Sequence, residues 1–142
     1  MADIIYNQFY ERMGDGTFDF DNHTFKAMLL TDAHTPTAAD AIYTNVNTEE
    51  VAAGNGYTSG GKALTGVTWA TSGAIATFDC ADIIWTGATI TARYCIIYDD
   101  TAASKNLLLL LDFGQNTTSS LSDFTISIDA LGLFRVAAKG AI

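Results

Sequence analysis

Residues 88–98 read ATITARYCIIY, and their side chains alternate along the chain with a period of two. The even positions are all apolar or aromatic: Ala88, Ile90, Ala92, Tyr94, Ile96 and Tyr98. Because successive side chains of a strand point to opposite faces, this alternation predicts one strand whose even positions share a face. The many Ile, Thr and Tyr residues favour the same conformation.

Four further runs extend the β pattern. Residues 74–78 and 124–128 alternate in the same way, whereas residues 25–30 (FKAMLL) and 107–113 (LLLLLDF) are apolar on both faces. Such short runs are typical of strands buried in an interior. Clusters of Gly, Asn, Asp and Ser separate the runs at about the spacing of turns in a sandwich. The sequence therefore predicts an all-β fold, an antiparallel two-sheet β-sandwich.

One amphipathic helix is predicted ahead of the sandwich. Apolar residues recur there at a spacing of four with tyrosines beside them: Ile5, Tyr6, Phe9, Tyr10 and Met13. Asp3 stands where a capping residue belongs, and Gly14 stands where the helix should end. We expect a single domain over residues 1–142, with the helix at 1–14 and the sandwich at 17–142.

Residues 35–56 form the least patterned segment of the chain, with short helical turns expected at 37–42 and 47–53. Loops of this length inside a compact domain are uncommon and are often functional. We therefore expect this loop and the apolar stripe of the helix to contact a partner. The predicted contact residues are Ile5, Tyr6, Phe9, Tyr10, Met13, Tyr43 and Tyr57.

Composition excludes several classes of protein. The chain has 142 residues, 49% of them hydrophobic and 16% charged, with a net charge of −9, which argues against binding a nucleic acid through its phosphates. No apolar run approaches the ~20 residues of a membrane helix, and no secretion signal is expected at the N-terminus.

Cys80 and Cys95 are predicted to be reduced and buried, with a single disulfide as the alternative. Together with His23 and His34 they match no zinc spacing.

Motifs for catalysis are weak. Residues 56–62 (GYTSGGK) resemble a phosphate-binding loop, but Ala63 replaces the hydroxyl residue and a strand pattern follows, so a glycine turn is predicted. His23 is expected in a solvated turn, and no serine lies in a Gly-x-Ser-x-Gly motif. Thirteen of the sixteen acidic residues are Asp, a residue common in turns. We therefore predict no catalytic residue, no cofactor and no metal ligand, and a protein that is not an enzyme. Paired carboxylates acting on a sugar remain an alternative.

Seven segments appear in the order found in a family of small proteins of tailed bacteriophages, which the chain resembles. They are residues 2–7 (ADIIYN), 16–21 (GTFDFD), 24–31 (TFKAMLLT), 56–64 (GYTSGGKAL), 85–94 (WTGATITARY), 97–100 (IYDD) and 112–114 (DFG). The resemblance implies a virion structural protein, with no catalytic residues to carry over.

On this basis we expect a capsid decoration, or cement, protein that is assembled into the virion in the host cytoplasm. Its expected partners are the major capsid protein and copies of itself, arranged as a homotrimer, with no nucleic acid and no membrane. The alternative is a tail or fibre-tip module that binds host-surface glycan by stacking aromatic residues such as Trp69 or Tyr57 on sugar rings.

Overall fold

The structure is a computed structural model that describes residues 3–138. It contains ten strands and one α-helix, α1, with all paired strands antiparallel, which confirms the all-β prediction. In chain order the elements are β1 (Ile4–Ile5), α1 (Asn7–Gly14), β2 (Phe25–Leu30), β3 (Lys62–Ala63), β4 (Thr68–Ser72), β5 (Ile75–Asp79), β6 (Ile83–Ala88), β7 (Thr91–Asp99), β8 (Leu107–Thr118), β9 (Ser122–Ile126) and β10 (Phe134–Ala137).

The largest sheet has five strands in the order β1-β8-β7-β2-β3. Its central strands β2, β7 and β8 carry apolar side chains on both faces. In β2, Phe25 and Leu29 pack into one hydrophobic core, whereas Met28 and Leu30 pack into a second. The prediction that residues 25–30 form an interior strand is therefore confirmed.

The other strands form two smaller sheets, β6-β9 and β10-β5-β4, so the hydrogen bonds define three sheets where the sequence predicted two. Both smaller sheets contribute to the first core. Phe78 and Phe134 come from one of them, and Trp85 and Phe124 come from the other. Side chains of both small sheets thus share one core with side chains of the large sheet.

The segment between β2 and β3 covers the opposite face of the large sheet. Val46 is fully buried there, and Tyr43 packs beside it. The segment is attached by backbone hydrogen bonds, including Val51 N to Leu29 O at 3.0 Å and Leu107 N to Ala41 O at 3.0 Å. Of the two expected helical turns, the one at 47–53 is confirmed as a short 3-10 turn at Asn47–Glu49. The one at 37–42 is wrong, since the other 3-10 turn lies at Tyr43–Asn45.

The long strand expected over residues 88–98 is interrupted. Ala88 ends β6, and the β7–β8 register shifts between Ala92 and Tyr94. The even positions therefore do not share one environment. Ala88, Ile90 and Ala92 pack in the first core, whereas Tyr94, Ile96 and Tyr98 pack in the second. A register irregularity bends a strand without changing its alternating sequence, so the pattern alone could not reveal it.

The N-terminal helix is shorter than predicted. Ile4 and Ile5 pair with Leu110 and Leu109 as the edge strand β1, and α1 begins only at Asn7. Asp3 does not cap the helix, because its Oδ1 accepts a hydrogen bond from Asp112 N at 2.8 Å. Within residues 3–138 no helix is long and apolar enough to cross a membrane. The expected boundary at residues 1–14 is therefore corrected to 7–14.

The glycine-rich segment before β3 is a turn pressed against the large sheet. Gly61 has a φ of +83°, and a Cβ placed on it would lie 1.9 Å from the carbonyl oxygen of Ala27. Gly60 accepts a hydrogen bond at its oxygen from the Tyr98 hydroxyl at 2.5 Å. The glycines therefore serve a close backbone approach, which confirms the prediction of a glycine turn that enters a strand.

We expect Gly61→Ala to lower the free energy of unfolding by about 3 kcal/mol or more, because the new methyl group meets β2 backbone at a left-handed φ. Gly14→Ala is the matched control, since nothing lies within 4 Å of its Cβ position. That control should be neutral or stabilise by about 0.5–1 kcal/mol. Urea unfolding of both variants measures the difference, and equal stabilities would contradict the packing described.

Cys80 and Cys95 are free and buried, as predicted. Burial raises the pKa of Cys80 to about 11, and burial also raises the pKa of Cys95. Since the thiolate is the reactive form, both thiols should be inert while the chain is folded.

We therefore expect no reaction of the native protein with an aromatic disulfide reagent at pH 8, and reaction of two thiols after unfolding in guanidinium. Absorbance of the released thiolate measures both. Rapid modification of either cysteine under native conditions would show that the core is open.

Candidate interaction surface

Three of the seven predicted contact residues belong to the interior of the chain. Tyr6, Phe9 and Tyr57 are 0%, 2% and 3% exposed. Tyr57 joins the covering segment to the large sheet, because its hydroxyl donates to Glu50 Oε1 at 2.7 Å and accepts from Leu29 N at 3.0 Å. These three aromatic residues are therefore corrected to core positions, since their apolar rings are needed to fill the two cores.

A groove brings together most of the helical stripe. It has a volume of about 220 Å³ and is lined by Ile5, Phe9, Tyr10, Met13 and Phe134–Ala137. Tyr10 is 57% exposed and Val136 is 37% exposed, so its rim offers apolar surface to solvent. Three of the predicted contact residues, Ile5, Tyr10 and Met13, thus share one site above the buried ring of Phe9. Tyr43 lies apart on the segment that covers the second core.

The strand at this groove is an outer strand of its sheet. β10 pairs with β5 and has no second partner among the described residues. An outer strand presents backbone donors and acceptors that another extended chain can pair with. The groove therefore combines exposed apolar side chains with a backbone edge.

A cleft of about 330 Å³ lies beside the groove, and Met13 borders both. The cleft is lined by Met13, Gly16, Phe18, Asp19, Phe20, Asp21 and Trp69. Trp69 is the residue predicted from sequence as a candidate for sugar stacking. No sequence pattern predicted that it would lie beside Asp19 and Asp21.

Seven rings support the floor of the cleft and the groove. Neighbouring ring centroids lie 4.8 to 6.2 Å apart. This aromatic cluster consists of Phe9, Phe18, Phe20, Phe25, Trp69, Phe78 and Phe134. Tilted and edge-to-face contacts of this kind fix ring orientation, so the cluster gives both depressions a rigid floor.

Hydrogen bonds in the turn favour the ionised form of Asp19 at the cleft. Hydrogen bonds from Asn22 hold the pKa of Asp19 below its usual value, and hydrogen bonds from Thr17 do the same for the pKa of neighbouring Asp15. Asp19 also accepts from the backbone nitrogen of Asp21 at 3.1 Å. A general acid needs a raised pKa, so the lowered pKa of Asp19 does not suit the general-acid half of the paired-carboxylate chemistry considered from sequence.

A hydrogen bond between His23 and Asp99 attaches the segment that lines the cleft to the large sheet. His23 was expected in a solvated turn, but its Nδ1 lies 2.6 Å from Oδ2 of Asp99, whose side chain is fully buried. Thr101 N donates to the other carboxylate oxygen of Asp99 at 3.0 Å. The contact between His23 and Asp99 could not be predicted from the sequence pattern, because the two residues are 76 positions apart.

The second histidine lies away from the groove and the cleft. His34 belongs to the covering segment and is buried, with Nδ1 3.4 Å from Oε1 of Glu49 and its ring in an edge-to-face contact with Tyr94. Within residues 3–138 no group of three or more His, Cys, Asp or Glu side chains is arranged to hold a metal ion.

We expect His23→Ala to lower the free energy of unfolding by about 1–3 kcal/mol, because it leaves the buried Asp99 carboxylate without its hydrogen-bond partner on the His23 ring. His23→Ala combined with Asp99→Asn should recover part of this loss, since the buried charge is then removed. Chemical unfolding of the single and double variants measures the coupling. Additive effects would contradict a direct pair.

Comparison of the chain with protein-family models, with curated proteins and with solved structures finds no match.

Proposed function

We propose that this protein is a bacteriophage virion structural protein that decorates the capsid by binding over joints between major capsid protein subunits. The observation that carries the proposal is the groove, where Ile5, Phe9, Tyr10 and Met13 meet beside the outer strand β10. The ordered sequence segments that resemble small phage proteins support the same function.

In this proposal the domain acts as an antiparallel β-sandwich whose second layer is divided. The sheets β6-β9 and β10-β5-β4 together face the large sheet across the first core, as their shared contacts in that core suggest. Such a two-layer body is rigid, because side chains from both layers interdigitate between them. A rigid body can hold a shallow groove in a fixed shape for a partner.

The energetics of a decoration protein suit a modest contact. A specific interface buries about 1,200–2,000 Å² in total, and exposed apolar residues such as Tyr10 and Val136 gain most from that burial. Many weak contacts repeated around a symmetric shell stabilise it through multivalency rather than through single affinity. A homotrimer, assembled with the virion in the host cytoplasm, would place three such grooves around one axis.

A tail or fibre-tip module that binds host-surface glycan is the second candidate. The observation that favours it is the cleft, where Trp69 lies beside Asp19 and Asp21. An indole can stack on a sugar ring while carboxylates accept hydrogen bonds from its hydroxyl groups. Tyr57, the other residue expected to stack, is buried and takes no part.

We expect Tyr10→Ala to weaken association with capsid particles by about tenfold, because Tyr10 is the exposed aromatic at the rim of the groove. Leu121→Ala is the control, since Leu121 is 86% exposed in the turn between β8 and β9. Purified variants are titrated onto particles that lack the protein, and bound copies are counted by quantitative electrophoresis. Circular dichroism checks that each variant is folded.

The outcome that contradicts decoration is equal occupancy by wild type, Tyr10→Ala and Leu121→Ala, or no binding of wild type to particles. Point variants are needed because deletion of the N-terminal segment would remove the buried Tyr6 and Phe9 and damage both cores. Binding of the wild type to defined sugars on a glycan array, without particle association, would favour the second candidate.

A further inference from the structure

We propose that the cleft lined by Trp69, Asp19 and Asp21 receives a basic side chain, an arginine or a lysine, of the protein that occupies the groove. The identification of that protein as a capsid subunit rests on the proposed function. The preference of the cleft for a cation rests on its own residues.

The aromatic wall is suited to a cation. A guanidinium or ammonium group within about 6 Å of an aromatic ring is attracted to its face, and tryptophan gives the strongest attraction. Trp69 is only partly buried, and its ring is braced by Phe20 at 4.9 Å and Phe134 at 5.7 Å between centroids. The ring is therefore already fixed in place, so little side-chain freedom is lost on binding.

The charges at the cleft have the sign that a cation needs. Asp19 and Asp21 border it, and no Lys or Arg of residues 3–138 is among its lining residues. Neither aspartate forms an ion pair within residues 3–138, where the basic residues Lys26, Lys105 and Arg93 pair with other acids. A cationic ligand would therefore meet two carboxylates that form no ion pair with a Lys or Arg of the described residues.

Two basic side chains lie close to the cleft, Arg12 in the sequence and Arg135 at the groove, and each forms a hydrogen bond outside the cleft. Arg12 is the one Lys or Arg in the first 25 residues, and its Nη1 donates to the carbonyl oxygen of Ala41 at 2.8 Å. Arg135 borders the groove and its Nε lies 3.5 Å from the hydroxyl of Thr77. Neither side chain fills the cleft, so the site is open to a basic group from another molecule.

Charge also decides which occupant is favoured. A second copy of this chain, with a net charge of −9, would be repelled by an acidic site, and a nucleic acid would be repelled through its phosphates. A basic side chain from a different protein meets no such penalty. Because Met13 borders both depressions, one extended segment could place an apolar residue in the groove and a basic residue in the cleft.

The experiment uses two probes of the same shape and different charge, N-acetylarginine amide and its neutral citrulline analogue. Each is titrated into the full-length protein while NMR follows the indole N–H signal of Trp69, with the signal of buried Trp85 as internal reference. We expect the arginine probe to shift the Trp69 signal and to bind at least about fivefold more tightly than the citrulline probe. Equal binding, or no shift of Trp69, would overturn the proposal.

Variants locate the binding site. Asp21→Asn should weaken binding of the arginine probe about threefold, and Trp69→Leu should weaken it further. Asp123→Asn is the matched control, since it removes the same charge from β9, away from the cleft, and should leave the affinity within about twofold. An equal effect of Asp123→Asn and Asp21→Asn would show only a general effect of net charge and would overturn the site.

A sugar probe tests the alternative occupant of the cleft. A stronger shift of the Trp69 indole signal by methyl glucoside than by the arginine probe would assign the cleft to sugar instead.

Particle binding separates this proposal from the proposed function. We expect Asp21→Asn to reduce particle occupancy and to make the remaining binding less sensitive to salt. If Asp21→Asn no longer binds the arginine probe but still occupies particles to the same extent as wild type, the cleft has no role in capsid binding. The proposal that the protein decorates the capsid is then unaffected. If wild type binds the arginine probe but never binds particles, decoration fails and the cation site remains.

Discussion

The large sheet of this protein is apolar on both faces, and that constraint shapes everything around it. Strands β2, β7 and β8 send side chains into two separate cores, and neither face can be left to water. At about 25 cal/mol per Å² of buried apolar surface, an uncovered face would cost far more than the usual net stability of a domain. The remaining chain is therefore divided between two coverings of different kinds.

The first covering is regular and the second is not. Two small sheets and the aromatic cluster close one face, whereas the segment between β2 and β3 closes the other with little regular structure. The second covering is held in place because its backbone groups form hydrogen bonds at the end of β2, between Val51 N and Leu29 O and between Thr31 N and Glu49 O. A long segment that appears free in the sequence is thus a structural part of the fold. The groove and the cleft lie where the first covering meets α1, and this is where apolar and acidic groups reach the surface.

The sequence predicted the strands better than the contacts between them. Runs of apolar residues located β2 and the start of β8, because burial on both faces leaves a continuous pattern. The pair Ile4–Ile5 was assigned to the helix, since spacing alone cannot show that Leu109 and Leu110 would be their neighbours. The shift between Ala92 and Tyr94 was also invisible, because it changes the pairing and not the alternation. At the surface, spacing brought Tyr10 and Met13 to one groove, but it could not show that Phe9 fills the core beneath them.

The cleft could not be predicted from the sequence, because its lining residues come from distant parts of the chain. The sequence marked Trp69 as a candidate for sugar stacking, and only the long-range packing of Phe20 on Trp69 brings it beside Asp19 and Asp21.

Native-state hydrogen exchange tests the two-sided burial of the large sheet most directly. It predicts that the amides of Val51, Leu107 and Thr31, which bond between the covering segment and the sheet, exchange nearly as slowly as the central amides of β7. Exchange of these three amides within seconds, with β7 still protected, would show that the segment does not cover the second face and would contradict the account.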